Sequence, residues 1–437
     1  MRKTIYALLF CLLIFKSATA QQQSSNFITA DIYNFWKAYD KIISTTDSAQ
    51  QYAYLNQFFI DKGTSGLKAI MQARNYTEKS YIDAINKYPL FWNSVRTNTL
   101  KAPEFADSIA ANVLKLKTLY PALKPAKIYF TIGALRTGGT TLDSMILIGS
   151  EIAMADAHTV TSEFPSELNG LKINLKSSPI NIIVFTNVHE YVHTQQKTTL
   201  GNNLLAQCVL EGVAEFMAEK ATEKPSTLPA LGYGRANAEH VKNVFALQMF
   251  NTSNSFWLYS DAENEFGVRD LGYYVGYAIC EKYYNIATDK KQAIKEMIEL
   301  DYNDEPALER FVDRSGYFAK PVNMLKNEYE ENRPVVKDIK PFKNYSTDVD
   351  TTNTEITIEF SAVMDTRHRN FELGPLGKSN ILKVKSIKGF SSDGKSITFE
   401  VELKPNHHYQ LVIGDGFRNK DAVQLKPYLI DFSTPAK

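Results

Sequence analysis

The pattern that most constrains this chain is His189-Glu190-Tyr191-Val192-His193, which follows the apolar residues Ile182, Ile183, Val184, Phe185 and Val188. That apolar run predicts a helix with a buried face. Residues four apart on an α-helix share a face, so the two imidazoles project together and can close on one metal ion. Glu190 stands one position round from the first imidazole, where its carboxylate can reach a water on the metal without binding the metal itself. A buried Glu beside two His with no cation would be expensive, because unpaired charge is costly in an apolar site. The pattern is therefore read as a metal site and not as an accident on a core helix.

A catalytic zinc site typically takes three protein ligands and leaves the fourth position for water. A second segment of helical character, from about Asn203 to Ala221, holds Cys208-Val209-Leu210-Glu211-Gly212-Val213-Ala214-Glu215-Phe216, and Glu211 is the expected third ligand. With these residues in place, the chain resembles the gluzincins, the thermolysin and zinc aminopeptidase clan, in which H-E-x-x-H on one helix is joined by a Glu from the next. Glu211-Gly212-Val213-Ala214-Glu215-Phe216 is similar to that clan's E-G-x-A-E-[FY]. The resemblance covers about residues 125–285.

The resemblance implies Zn2+ held by His189, His193 and Glu211, with Glu190 as general base. It also implies that Glu215, one turn after Glu211, accepts a hydrogen bond from the far nitrogen of a zinc-bound His and so orients it. In the aminopeptidase branch a Tyr of a Y-x-x-G segment donates to the oxyanion of the tetrahedral intermediate. Here Gly272-Tyr273-Tyr274-Val275-Gly276-Tyr277 stands at a comparable place. Tyr273 fits the register, though Tyr274 and Tyr277 crowd the same stretch. One departure bears on specificity: where the aminopeptidases carry G-x-M-E-N, this chain has Thr137-Gly138-Gly139-Thr140-Thr141-Leu142-Asp143, with no Glu to hold a free amine. The edge-strand motif of thermolysin itself is also missing.

Residues 1–20 read as a signal peptide, with Arg2 and Lys3, an apolar stretch from Ile5 to Phe15, and Ala18-Thr19-Ala20 as a small-x-small cleavage site. Its removal takes away three basic residues and no acid, so the formal charge goes from +1 to −2. Such a balance argues against nucleic acid or a membrane surface as partner. With no further long apolar run, no transmembrane segment is expected after signal removal, and an exported location is, either periplasmic or secreted to the cell surface. Of the three Cys, only Cys208 and Cys280 then remain. Both sit on apolar helical faces and are expected as buried thiols, a single bridge between them being the alternative. His158 and His240 are read as ordinary surface or core residues.

From Asp31 to about Tyr120, apolar and aromatic residues recur at three and four, as in Ile32, Phe35, Trp36, Tyr39 and Ile42, which predicts helices. Between Ala126 and Ile152 the runs Ile128–Ile132 and Met145–Gly149 predict short strands, and the second is expected to form a cleft edge on which an extended substrate pairs. Helical character resumes after Glu215 and ends near Arg333. Residues 334–437 alternate in period two, with turn signals between strands at Ile356–Phe360, Ser396–Val401 and Tyr409–Ile413. With Phe360-Ser361, Met364-Asp365, Leu403-Lys404-Pro405, Gly414-Asp415 and Phe432-Ser433-Thr434, this segment resembles a bacterial Ig-like domain.

The expected fold is α+β: a mainly helical, zincin-like catalytic domain with a small β-sheet over residues 21–333 (helical part 27–122, zinc-binding part 123–333), then an all-β Ig-like sandwich over 334–437. The expected function is that of an exported zinc metallopeptidase acting on a peptide or protein substrate. The alternative is an inactive zinc-bearing fold that works as a surface binding protein, with the Ig-like segment as its cell-surface contact.

Overall fold

A computed structural model describes residues 26–254, 256–261 and 264–436. The expected signal peptide lies outside them. The architecture is α+β, and no helix among the described residues is long and apolar enough to cross a membrane. The chain divides into two compact units. One holds residues up to 200 with 209–232 and 272–308; the other holds 201–208, 233–271 and 309–437.

The first unit is built on aromatic packing. Helix α1 (Ala30–Ile42) buries Ile32, Phe35, Trp36, Tyr39 and Ile42, the stripe that its three-and-four spacing predicts. Phe35 packs on Trp92 with ring centroids 4.9 Å apart, while the Trp36 and Trp92 indoles donate to Thr99 Oγ1 (2.9 Å) and Ala84 O (3.0 Å). Buried Asp31 on α1 accepts from Thr64 N at 2.9 Å, and Thr64 in turn caps helix α2 (Ser65–Arg74) through Gly66 N and Leu67 N. Helix α2 packs against a four-stranded sheet made of β1 (Phe27–Ile28), β2 (Lys127–Thr131), β3 (Gly139–Leu142) and β4 (Met145–Gly149).

The strand order is β1-β2-β4-β3, with β2 and β4 parallel and β3 antiparallel to β4. This corrects one expectation. The Met145–Gly149 strand is not a cleft edge but an interior strand, hydrogen-bonded on both sides; the edge strand next to it is β3, which opens with Gly139. The physical reason lies in burial. Ile146, Leu147 and Ile148 are wholly buried, as befits a strand covered on both faces, whereas every residue of β3 is half-exposed.

The loop that delivers β3 is held from below by Glu151, which follows β4 and is fully buried. Its carboxylate accepts from Gly133 N at 2.8 Å and Leu135 N at 3.2 Å. Burial pushes the carboxyl from 4.5 up to about 7, against the pull of those donors. The fold therefore tolerates the protonated form best. Its stabilising contribution is full below pH 4.5 and lost as pH rises to about 7, a difference of about 3 kcal/mol. In Glu151→Gln that component is expected to vanish, so denaturant unfolding between pH 4.5 and 7 should give a flatter stability profile than wild type. Identical profiles would show that Glu151 ionises inside the fold at no cost.

In the second unit, β5 (Val336–Lys340), β6 (Glu355–Phe360), β8 (Val384–Phe390) and β9 (Ser396–Val401) form one sheet in the order β5-β6-β9-β8. A second sheet has the order β11-β10-β7, from β7 (Phe371–Glu372), β10 (His408–Ile413) and β11 (Tyr428–Ser433). Ile356, Ile358, Phe399 and Val401 of the first sheet share one core with Leu411, Ile413, Ile430 and Phe432 of the second, as the period-two alternation predicts. Within this unit the sandwich is bound to helical segments: Gln248 Nε2 donates to Asp421 O and Asn251 Nδ2 to Ala422 O, both at 2.9 Å.

Candidate metal centre

The His189 helix, α3 (Ile183–His193), packs against β3 and β4 in the first unit, after a 3-10 turn at Pro179–Ile182. The register brings His189 and His193 together as expected, with their Nε2 atoms 3.0 Å apart. Helix α4 (Leu204–Thr222) supplies Glu211, whose Oε2 lies 3.3 Å from His189 Nε2 and 3.4 Å from His193 Nε2. Among the described residues this is the group of His, Cys, Asp or Glu side chains whose ligand atoms converge closely enough to hold a metal ion.

The far nitrogens decide what the near ones can do. Glu215 Oε2 stands 2.9 Å from His189 Nδ1, and Gln196 Oε1 stands 2.6 Å from His193 Nδ1. A carboxylate can only accept, so His189 carries its proton on Nδ1. Gln196 is oriented by its other end, since its Nε2 donates to Leu210 O and to Tyr302 Oη, both at 2.9 Å. Its oxygen therefore faces His193, and that imidazole too is protonated on Nδ1. Both Nε2 lone pairs then point at each other and at a carboxylate oxygen, three electron-rich atoms around one point. A divalent cation that accepts nitrogen and oxygen donors, zinc among them, fits this set.

With no cation at that point, the imidazoles themselves take up the positive charge that balances the carboxylates. Burial alone would raise the Glu211 carboxyl, but the adjoining imidazoles hold it well below the ordinary range. Burial would lower both imidazoles, yet the flanking carboxylates outweigh it and raise them. The Glu190 carboxyl is raised by burial, with His193 and His189 opposing. Glu190 is nearly enclosed and seated on β3: a Cβ added at Gly139 would come within 2.7 Å of its Oε1. Gly139 is thus needed for the close approach of edge strand and carboxylate.

Tyr273 opens the helix α5 (Leu271–Ile286) and is half-buried, with its ring centroid 6.1 Å from that of His189. Tyr277 instead packs on Phe216 and donates to Glu219 Oε1 at 2.7 Å, and Tyr274 is buried. Tyr273 is thus placed against a histidine of the cluster. Its placement follows from a tight crossing of α4 and α5, where a Cβ on Gly212 would lie 2.0 Å from the Gly276 carbonyl carbon and 2.3 Å from Tyr277 N. The two glycines let the helix backbones touch, and Glu211 and Tyr273 sit on either side of the contact.

Sequence reasoning missed Gln196, Tyr302 and Gly139. Gln196 was findable, since a polar residue three beyond His193 falls on the same side of the chain; Tyr302 carried no signal of its own. Cys208 and Cys280 are buried thiols, not a bridge. His158 is exposed, and His240 is an exposed residue 3.4 Å from Glu265.

No curated protein and no solved structure matches this chain. Residues 330–434 match the family model of the bacterial Ig-like domain. The C-terminal sandwich is accordingly a bacterial Ig-like domain, beginning within a few residues of the break in pattern near Arg333.

Proposed function

We propose that this chain is an exported zinc metallopeptidase of the gluzincin type, with His189, His193 and Glu211 as the metal ligands. The observation that carries the reading is the pair of imidazoles locked by Glu215 and Gln196 with both Nε2 lone pairs turned to Glu211. When bound there, zinc supplies Lewis acidity that brings the pKa of a water near 7 and polarises a carbonyl. The remaining work falls to the chain.

Glu190, enclosed and beside the ligands, accepts a proton from the attacking water and passes it to the leaving amine. Tyr273, half-exposed beside His189, offers its phenol to the developing oxyanion, an interaction of the kind that contributes several kcal/mol to acyl transfer. Glu215 and Gln196 keep the ligands in their tautomers. The edge strand β3 offers backbone groups on which an extended peptide can add a strand, laying its carbonyls alongside Glu190. The lack of a Glu in Thr137–Asp143 argues against a requirement for a free amino terminus.

The test is mass spectrometry of a diverse peptide library incubated with the zinc-loaded protein. Cleavage is expected, with loss on chelation and recovery on adding zinc; internal cuts would mark an endopeptidase and terminal trimming an exopeptidase. A protein that binds zinc stoichiometrically and cleaves nothing would transfer the reading to a zinc-bearing surface binding protein.

A further inference from the structure

A second concave site lies in the other unit and owes nothing to the metal centre. Loops of the Ig-like domain and the segment after the helix Ala238–Gln248 enclose a cavity of about 380 Å³ whose lining includes Arg367, His368, Arg369, Asp415, Arg418 and Gln424. Its lining includes three arginines and one acidic residue.

Arg418 is the unusual member. It is only 6% exposed, with its guanidinium stacked over the Phe256 ring at 4.0 Å. Its Nε and Nη2 are buried and make no hydrogen bond. The nearest carboxylate, Asp365, stands 3.5 Å from Nε but is occupied by others: it accepts from Arg367 Nε at 3.0 Å and lies 3.0 Å from His368 Nδ1. Burial and Arg367 together depress the Arg418 guanidinium to about 10 despite Asp365. A buried cation with unmet donors is costly to keep, and proteins keep few without a use. The one carboxylate in the lining, Asp415, already accepts from Thr252 Oγ1 at 2.6 Å.

We propose that this cavity is an anion-binding site in which Arg418 and Arg369 grip an oxyanion, the phosphate, sulfate or carboxylate group of a larger ligand. Guanidinium matches such groups with paired hydrogen bonds, which a lysine could not do. The half-exposed His368 and the Gln424 amide line the same cavity and leave room for the polar atoms next to the anionic group. The stacking of Arg418 on Phe256 fixes the fork's plane before any ligand arrives.

Isothermal titration of the full chain with inorganic phosphate, sulfate and glucuronate, each at about 0.15 M ionic strength to screen diffuse attraction, tests this. One-site saturable binding of at least one probe is expected; phosphate or sulfate would assign a tetrahedral group, glucuronate a carboxylate. Arg418→Met keeps the packing on Phe256 but removes the charge, and is expected to weaken binding roughly tenfold or more. Arg369→Gln alters an exposed residue and leaves the fold intact, so it serves if Arg418→Met is unstable, and it should also weaken binding. No saturable binding of any probe, or equal affinity in wild type and Arg369→Gln, would overturn the assignment and leave Arg418 as a structural staple.

Discussion

Glu190→Gln is expected to bind zinc with wild-type stoichiometry and to hydrolyse peptides roughly 10²–10⁴-fold more slowly, the range that a positioned general base contributes. The substitution is nearly isosteric, so the close seat on Gly139 survives. What is lost is the ability to take a proton, because an amide oxygen is a far weaker base than a carboxylate. Metal content by atomic spectroscopy and kcat on a peptide identified from the library would separate the two effects. The contrast is with Glu211→Gln or His193→Ala, which remove a donor and should lose metal and activity together. Wild-type turnover in Glu190→Gln would sink the assignment of Glu190.

Gly212→Ala is expected to destabilise the protein by about 3 kcal/mol, at the upper end for overpacking. The new methyl would sit 2.0 Å from a backbone carbon, and backbone cannot rotate away as a side chain can. The helices α4 and α5 must part, carrying Glu211 and Tyr273 with them. Gly232→Ala is the matched control, since a Cβ there meets nothing within 4 Å and a helical Gly→Ala change should stabilise by up to about 1 kcal/mol. Guanidinium unfolding of both variants reads the difference. Equal stability of Gly212→Ala and wild type would mean that the crossing is looser than its geometry.

The donor set was legible in the sequence because its spacing is local: His189 and His193 are one turn apart, and Glu211 and Glu215 likewise. Tyr273 could not be told from Tyr274 and Tyr277 by spacing, because the choice depends on where Gly276 meets Gly212. The edge strand was misplaced for a different reason. Period-two alternation says which face a residue takes but not which strand is outermost, and the short half-exposed stretch Gly139–Leu142 has little apolar signal to announce a strand. Its neighbour's unbroken apolar run, Met145–Ile148, was the better clue, since an edge on a cleft would not be apolar on both faces. Three of the sandwich strands, β6, β9 and β10, were legible to within a residue, as their alternation is regular and their turns are marked, while β5, β7, β8 and β11 were not bounded from sequence.

The support for His193 reaches far along the chain. Gln196 is held by Tyr302, which lies 106 residues further on, and Tyr302 donates in turn to Met297 O at 2.7 Å. A ribosome adding about 5–20 residues per second needs roughly 5–20 s to cover that distance. Through that interval the H-E-x-x-H helix and Gln196 exist without the phenol that anchors the Gln196 amide, and for most of it without Tyr273. The order of synthesis therefore completes the support of the proposed metal ligands only well after the motif itself has been made. A chain cut short before residue 302 should carry the motif but not its geometry.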